Sequence, residues 1–425
     1  MNILILGATG YIGSMIASRL AADGHSITGI GRNPARAALK QPDIRWLQVD
    51  LATMTTPADW TGILETHDAV INSAGALQDG LADDVAATQT KAMQALYAAA
   101  GQSPVRLIVQ ISARTQGPAA GLPFLATKRQ ADEALVSSGI PYVILRPALV
   151  LGRNAHGGSA LLRALSAFPL VLPLTYAKNH VATISVEDVA TAVSRAISGE
   201  LAPGTDVAMA ADETLTLAEL VVLHRQWLGL PPARIVAIPA LLSKPVTWLA
   251  DTAGRLGWRS PLRSTAMKVM SEGVRTDGKA SAGLATAAAT LSANPSGVQD
   301  LWFARLYLLK PLVIVSLSLF WLLSGLVPLI DPERASAHFL PFMGTAAALV
   351  LTIATCLIDI ALGLAVLVRP WARKALFGML LVTTAYLGGG SLLEPALWLD
   401  PLGPFVKVLP SILLTLVALA TLDER

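Results

Sequence analysis

Gly7, Gly10 and Gly13 stand at spacings of three in the stretch Gly-Ala-Thr-Gly-Tyr-Ile-Gly. An apolar run at 3–6 precedes the stretch, and a helical pattern at 14–22 follows it with Met15, Ile16 and Leu20 inward. A strand, a glycine turn and a helix in that order make an anion site. The first glycine permits the tight turn and the second lets the backbone approach a pyrophosphate. The third allows close helix–strand packing, while the helix N-terminus favours negative charge. Thr9, Tyr11 and Ile12 fall in the same turn and are expected to touch the same ligand, a nicotinamide nucleotide. At the end of a second strand, 25–30, an acidic residue would hold a ribose 2′-hydroxyl. The chain has Gly31-Arg32 there instead, which suits a 2′-phosphate and so NADP(H) over NAD(H). Asp50 and Leu51, after a third strand at 45–49, are placed to contact adenine. Ser73, Ala74 and Gly75 close a fourth strand, 69–72, beside the ligand.

These residues need a scaffold, and the apolar pattern supplies one. Further strands at 107–111 and 142–145, with an alanine-rich helix around 88–100, continue the alternation. The expected fold is α/β, a doubly wound parallel Rossmann sheet over residues 1–150. Trp60 is expected in a loop before the fourth strand. Beyond 151 the pattern loosens into helices at 161–167, 186–197, 217–228 (capped by Thr216), 241–256 and 265–270. Residues 151–280 are expected to form a small lobe over the nucleotide, and 281–303 a linker, its part 281–297, rich in alanine, serine and threonine, reading as linker or poorly specified helix. The first seven residues already read as a strand entering the glycine turn. No signal peptide is therefore expected, and the N-terminal domain is expected in the cytosol.

Composition divides the chain. Of 425 residues, 53% are hydrophobic and only 14% charged, with mean hydropathy +0.55. The surplus lies near the C-terminus, in stretches at about 306–330, 342–368, 375–397 and 403–422. Each is near the ~20 residues that cross a hydrocarbon core. An all-α four-helix transmembrane domain over 304–425 follows, with the lipid bilayer as partner. The segment 369–374, Arg-Pro-Trp-Ala-Arg-Lys, is expected to be a cytoplasmic loop. Asp331, Glu333, Arg334, Glu394 and Asp400 fall on the other side, which puts both termini inside the cytoplasmic membrane.

The net charge of +3 is small and scattered, so nucleic acid is not expected as a partner. Cys356 is the one cysteine, which excludes an internal disulfide and any multi-cysteine metal site. The six histidines form no metal-binding pair, and no metal is expected. Asp359 lies deep in the second span, where it is expected either to face a partner or a polar cavity or to pack between helices as a neutral, protonated acid. Lys407, near the start of the fourth span, is either that partner or an interfacial residue. Gly388, Gly389 and Gly390 permit close helix approach or a break in the third span.

Several stretches resemble the atypical and extended short-chain dehydrogenase/reductases. They are GATGYIG, VDL at 49–51, INSAG at 71–75, ILRPALVLG at 144–152 and SVEDVA at 185–190. Within that group the chain is most similar to NAD(P)H-binding proteins related to the nucleotide-binding accessory subunit of respiratory complex I. The likeness covers about residues 1–280. TAYLGGGSLLEPALWLDPLGPFVKVLP at 384–410 resembles DoxX-like membrane domains.

The first resemblance implies a catalytic set. In active members, a tyrosine four residues before a lysine transfers the proton, the lysine holds the nicotinamide ribose, and a serine after the fifth strand orients the substrate. Lys128 matches the lysine and Ser112 the serine, but the tyrosine position is Phe124, whose ring has no proton to give. Three readings stay open. The domain binds the nucleotide without turnover, as a sensor or assembly module; it reduces a substrate with another acid, such as water or Thr127; or it passes hydride to a quinone or protein partner in the membrane. Trp227, Trp248 and Trp258 are the bulky residues expected to fill the substrate pocket.

Overall fold

The apolar runs near the N-terminus build one parallel sheet in the computed structural model, which describes residues 1–75, 80–81, 84–116, 118–274, 283–401 and 403–423. In chain order the strands are β1 (Asn2–Leu6), β2 (Ser26–Gly31), β3 (Arg45–Gln48), β4 (Ala69–Asn72), β5 (Leu107–Ile111), β6 (Tyr142–Pro147), β7 (Leu149–Leu151), β8 (Val171–Leu174), β9 (Thr183–Ser185), β10 (Thr205–Met209) and β11 (Arg234–Ala237). The main sheet runs β10-β6-β5-β4-β1-β2-β3. Sequence reasoning placed its first six strands and missed the seventh, β10, which pairs with β6 from within the expected lobe.

Helices α1 (Tyr11–Ala22), α2 (Ala35–Lys40), α3 (Pro57–Leu64), α4 (Ala92–Ala100), α5 (Pro123–Ser137), α6 (Gly158–Ser166) and α7 (Val186–Ile197) follow in order. The two-residue period of β1 explains why both faces are covered. Ile3 and Ile5 pack with Ile16 and Leu20 of α1 and Val189 and Val193 of α7. Leu4 and Leu6 point the other way, toward Trp60, Leu64, Leu96 and Leu135 on α3, α4 and α5. Trp60 is thus in a helix rather than the expected loop. Thr56 and Asp59 form a capping box at that helix's start, and Pro57 suits its first turn.

Helices α8 (Leu217–Trp227), α9 (Ala240–Arg255), α10 (Ser264–Glu272) and α11 (Ala287–Ala293) come next, and β7–β9 and β8–β11 make two small parallel pairs. Thr216 caps α8 as expected, with Glu219 closing a capping box. The segment read as a linker or a poorly specified helix holds α11 and is bonded to the first unit. Ala285 N donates to Asp188 at 2.9 Å and Ala287 N to Glu213 at 2.7 Å. Asp300 is buried and accepts from Arg153 at 2.7 Å and from Arg163 at 3.4 Å. Residues 275–282, where the lobe was expected to meet the linker, lie outside the described residues.

Two units divide the chain: Met1–Asp251 with Ser260–Ala304, and Thr252–Arg259 with Arg305–Arg425. The second holds most of α12 (Val298–Leu326), then α13 (Pro332–Ser336), α14 (Thr345–Ala365), α15 (Arg369–Leu393) and α16 (Pro404–Thr421). The helices α12, α14, α15 and α16 are long and apolar enough to cross a membrane, and at most 28% of each apolar window is buried inside the protein. Most of their apolar surface therefore faces outward, as in a lipid-facing bundle. Arg369–Lys374 is the first turn and a half of α15, not the expected loop, because Pro370 is well tolerated where a helix starts. Gly388, Gly389 and Gly390 leave α15 unbroken, and Gly390 lies against Phe405 of α16.

Candidate functional site

Between β1 and β4 the strand order reverses direction, and a crevice of this kind opens at the carboxyl ends of the two strands. The glycine turn occupies that position. Gly7 has φ +71°, and a Cβ added there would stand 2.9 Å from the Ala74 backbone. A Cβ on Gly13 would run into the Gly7 carbonyl and lie 2.6 Å from Ser73 Oγ. Ser73 Oγ donates to Leu6 O at 2.6 Å, fastening the two strand ends together. Gly10 opens α1 with no side chain to cap the helix N-terminus. The backbone there is accessible to an anion for simple steric reasons.

The other expected nucleotide residues surround this turn. A Cβ on Gly31 would lie 2.8 Å from Thr9 Cγ2, so the glycine turn abuts the end of β2, where exposed Arg32 follows. Asp50 is exposed and accepts from Ala52 N at 3.1 Å, while Leu51 is buried with Leu6 and Ile30. Ile12 packs on the core instead of pointing outward. Tyr11 turns toward Gly152, and its buried hydroxyl has no hydrogen-bond partner among the described residues. Burial pushes that phenol above the ordinary tyrosine range, and the nearby Arg163 charge opposes the shift.

On α5, Phe124, Lys128 and Asp132 recur every four residues and share a face. Phe124 is only 7% exposed and packs with Val85, Leu125, Ala113, Leu122 and Val269. Lys128 Nζ donates to Ile111 O at 3.1 Å and would lie 3.5 Å from a Cβ on Gly75. Burial holds the Lys128 ammonium below the usual lysine range, against the attraction of Asp132. Ser112 Oγ donates to Asp132 Oδ2 at 2.6 Å and accepts from Arg146 Nη1 at 3.3 Å. Arg146 also donates to Asp132 at 2.8 Å, and its other nitrogens grip Asp206 at 2.7 and 2.8 Å. Thr127 Oγ1 donates back to the carbonyls of Pro123 and Phe124, at 3.0 and 3.1 Å.

Sequence reasoning missed Asp132, Arg146 and Asp206. The four-residue step from Lys128 to Asp132 was a usable signal. Asp206 gave none, since its partner is set by β10 lying beside β6. The tryptophans need a correction. Trp227 donates to Asn294 O at 2.7 Å beneath the Arg163 guanidinium, Trp248 is 67% exposed, and Trp258 belongs to the helical unit. Smaller residues, among them Val85 and Val269, cover Phe124 instead.

These residues fit a dinucleotide. Gly7 and Gly13 let the backbone of the turn pack closely where side chains would clash, and Gly10 leaves the N-terminus of α1 without a side-chain cap, so backbone N–H groups can face a pyrophosphate. The glycine turn would carry the pyrophosphate and Lys128 the nicotinamide ribose. Bound there, the group supplies or accepts a hydride.

A second polar cluster lies in the helical unit. Asp359 on α14 is buried, with Oδ1 accepting from Tyr386 on α15 at 3.0 Å and Oδ2 from Ser324 on α12 at 2.9 Å. Lys407, offered by sequence reasoning as a possible partner, is exposed on α16. Small residues explain the pairing that forms. Gly325 lies against the Cys356 carbonyl and Gly363 against Leu322 and the Ser318 carbonyl, so α12 and α14 approach closely enough for a serine to reach.

Residues 7–200 match the NAD(P)H-binding family, and residues 318–416 match the DoxX-like family. A dTDP-6-deoxy-L-talose 4-dehydrogenase (NAD(P)(+)) of Kitasatospora kifunensis is 30% identical over 185 residues, 38% of this chain and 56% of that protein. An uncharacterized protein of Mycobacterium tuberculosis is 24% identical over 230 residues, 52% of this chain and 23% of that protein. The chain thus spans only part of the length of these curated relatives. The solved UDP-glucuronic acid 4-epimerase of Bacillus cereus, in complex with UDP-glucuronic acid and NAD, matches at TM-score 0.50 and 16% identity. That match covers 71% of this chain and 100% of the epimerase, and it is a likeness of fold.

The glycine geometry gives a direct test. Gly13→Ala forces a methyl group against the Gly7 carbonyl and should weaken NADPH and NADH binding together, by tenfold or more, or about 1.4 kcal/mol. Fluorescence titration of both nucleotides checks this, and unchanged affinity would remove the turn from the site.

Proposed function

From a chain that joins an NAD(P)H-binding Rossmann domain of the short-chain dehydrogenase/reductase kind to a DoxX-like domain, we propose a membrane-anchored nucleotide-binding protein without tyrosine-dependent reductase chemistry. The observation that carries this reading is Phe124, an apolar ring buried one helical turn before Lys128. Hydride addition to a carbonyl leaves an alkoxide that must gain a proton. Phe124 has none, Ser112 commits its hydrogen to Asp132, and Thr127 commits its own to helix carbonyls. Lys128 stays in position to hold ribose. The protein then senses or stores a nicotinamide nucleotide at the membrane, with its nucleotide domain and both termini in the cytoplasm.

A second reading, hydride transfer to a quinone, draws on the Asp359, Tyr386 and Ser324 cluster. A carboxylate bonded to two hydroxyls in an apolar unit is a reasonable proton store for such an acceptor. It is an oxidoreductase reading that needs no acid on α5.

The cofactor preference rests on Arg32, exposed at the end of β2 beside the glycine turn. NADPH should bind more tightly than NADH. Arg32→Ala should cost NADPH about 1.5–3 kcal/mol and leave NADH almost untouched. Equal affinities in the wild type would sink the preference.

For orientation, a reporter active only outside the cytoplasm should stay silent when fused after the last residue, and work when inserted near Ala335. The reverse pattern would invert the topology, and signal at both places would exclude four spans.

Turnover is decided by assaying wild type and Phe124→Tyr with NADPH across aldehydes, ketones and quinones. A working general acid is typically worth ~10²–10⁴-fold, so a restored reductase would be easy to see. The binding reading expects no carbonyl turnover from either protein and almost unchanged nucleotide affinity. Quinone-dependent oxidation of NADPH by wild type would favour the second reading, and robust carbonyl reduction by wild type would overturn both.

A further inference from the structure

Helix α9 wears its large apolar side chains on the outside. Leu241, Leu242, Val246, Trp248 and Leu249 are all exposed, Leu241 by 68% and Trp248 by 67%. At 100° per residue, they and Pro245 fall on one continuous arc. The opposite arc is made of small residues, Ser243, Thr247, Ala250 and Gly254, and it is the inward one, with Ala250 and Gly254 buried. Ser243 and Thr247 turn their hydroxyls back to the carbonyls of Ala240 and Ser243, so the inner face is smooth. An ordinary surface helix has the reverse arrangement. An apolar face of this kind on a soluble surface marks a binding surface.

The end of α9 indicates what that surface meets. The chain leaving it, Leu256-Gly257-Trp258, packs into the helical unit. Leu256 O accepts from Arg369 N at 2.9 Å, and Trp258 Nε1 donates to Leu367 O at 2.6 Å. The Trp258 ring lies 5.9 Å from Lys310 Nζ and 5.5 Å from the Arg369 guanidinium. Lys310 and Arg369 both reach Leu422 O at the end of α16, and Arg373 pairs with Asp423. Lys310 on α12 and Arg369 and Arg373 at the start of α15 are therefore gathered around Trp258 and the end of α16, just beyond α9, while Asp331, Glu333, Glu394 and Asp400 follow the far ends of α12 and α15. Tryptophan and clustered cations are the usual residues of the boundary between headgroups and acyl chains. Lys244 and Arg255 border the apolar arc of α9 on one side, where long side chains can reach lipid phosphates while the apolar face stays buried.

We propose that α9 lies in the plane of the bilayer interface, with Leu241, Leu242, Trp248 and Leu249 among the acyl chains below anionic headgroups. This rests on the reading that α12, α14, α15 and α16 span that bilayer. The surface is a lipid contact, and docking of a second protein onto it is the outcome that would refute the proposal.

The test uses the full chain with Cys356→Ala, reconstituted in vesicles of phosphatidylcholine and phosphatidylglycerol. Trp248→Cys and, separately, Leu242→Cys carry an environment-sensitive fluorophore. Leu351→Cys on α14 marks the spans, and Leu39→Cys on α2 marks the aqueous surface. At positions 248 and 242, nitroxide lipids labelled near the headgroup should quench strongly, and iodide several-fold less than at position 39. If both α9 probes behave like position 39 while position 351 is quenched by lipid, the α9 proposal fails and the membrane reading stands. If position 351 also escapes lipid quenching, the membrane reading fails with it. Shielding of the α9 probes from both lipid and iodide would mean a protein covers this face, and would overturn the proposal.

Discussion

The backbone of Gly13 sits against the carbonyl of Gly7, and the backbone of Ala74 sits against Gly7 in turn. Neither approach tolerates a Cβ, and the rest of the nucleotide site depends on both. They let α1 start directly over the end of β1 and bring the end of β4 alongside, fastened by the Ser73 hydroxyl on Leu6 O. The crevice at the strand reversal is therefore a consequence of two missing side chains. The same closeness sets Thr9 against Gly31, so that Arg32 follows at the rim of the crevice.

One face of α5 connects this crevice to a buried ionic network. Lys128 reaches Ile111 O beside Gly75, and Asp132, one turn further, holds Ser112 and Arg146. Arg146 passes the connection to Asp206 on β10. Breaking a buried pair of this kind by removing one partner usually costs about 3–5 kcal/mol, because the remaining charge is stranded. Such a network gives rigidity, but it consumes the hydroxyl that the family resemblance assigns to substrate. Phe124 stands at the head of the same face, in an apolar setting. Along this face, then, the hydroxyls of Ser112 and Thr127 are bonded within the protein, and the ring at 124 is apolar.

The helical unit solves a related problem with hydroxyls. Asp359 is held by two hydroxyls from neighbouring helices, and glycines at 325 and 363 create the proximity that makes this possible. Both units thus hold a buried carboxylate with a hydroxyl from a neighbouring element, Ser112 for Asp132 and Ser324 with Tyr386 for Asp359. In the first unit an arginine completes the set. In the second, hydroxyls alone do so, which avoids burying a second full charge.

From the amino-acid sequence alone, the local features were legible: the strand–glycine–helix turn, six strands of the sheet, the Thr216 cap, the four apolar helices and the phenylalanine four residues before Lys128. Each is a short-range pattern of period, spacing or residue type, and these survive without knowledge of neighbours. The features that escaped depend on neighbours distant in the chain. β10 joins the sheet only because β6 offers it an edge, and Asp206 meets Arg146 for that reason. Asp359 takes Tyr386 and Ser324 over Lys407 because helix packing decides which side chains face each other, and hydropathy cannot register that. Tertiary structure alone also decided that residues 285–300 are bound to the first unit and that the apolar arc of α9 faces outward. A periodic pattern tells which residues share a face, while only packing determines whether that face turns inward or out.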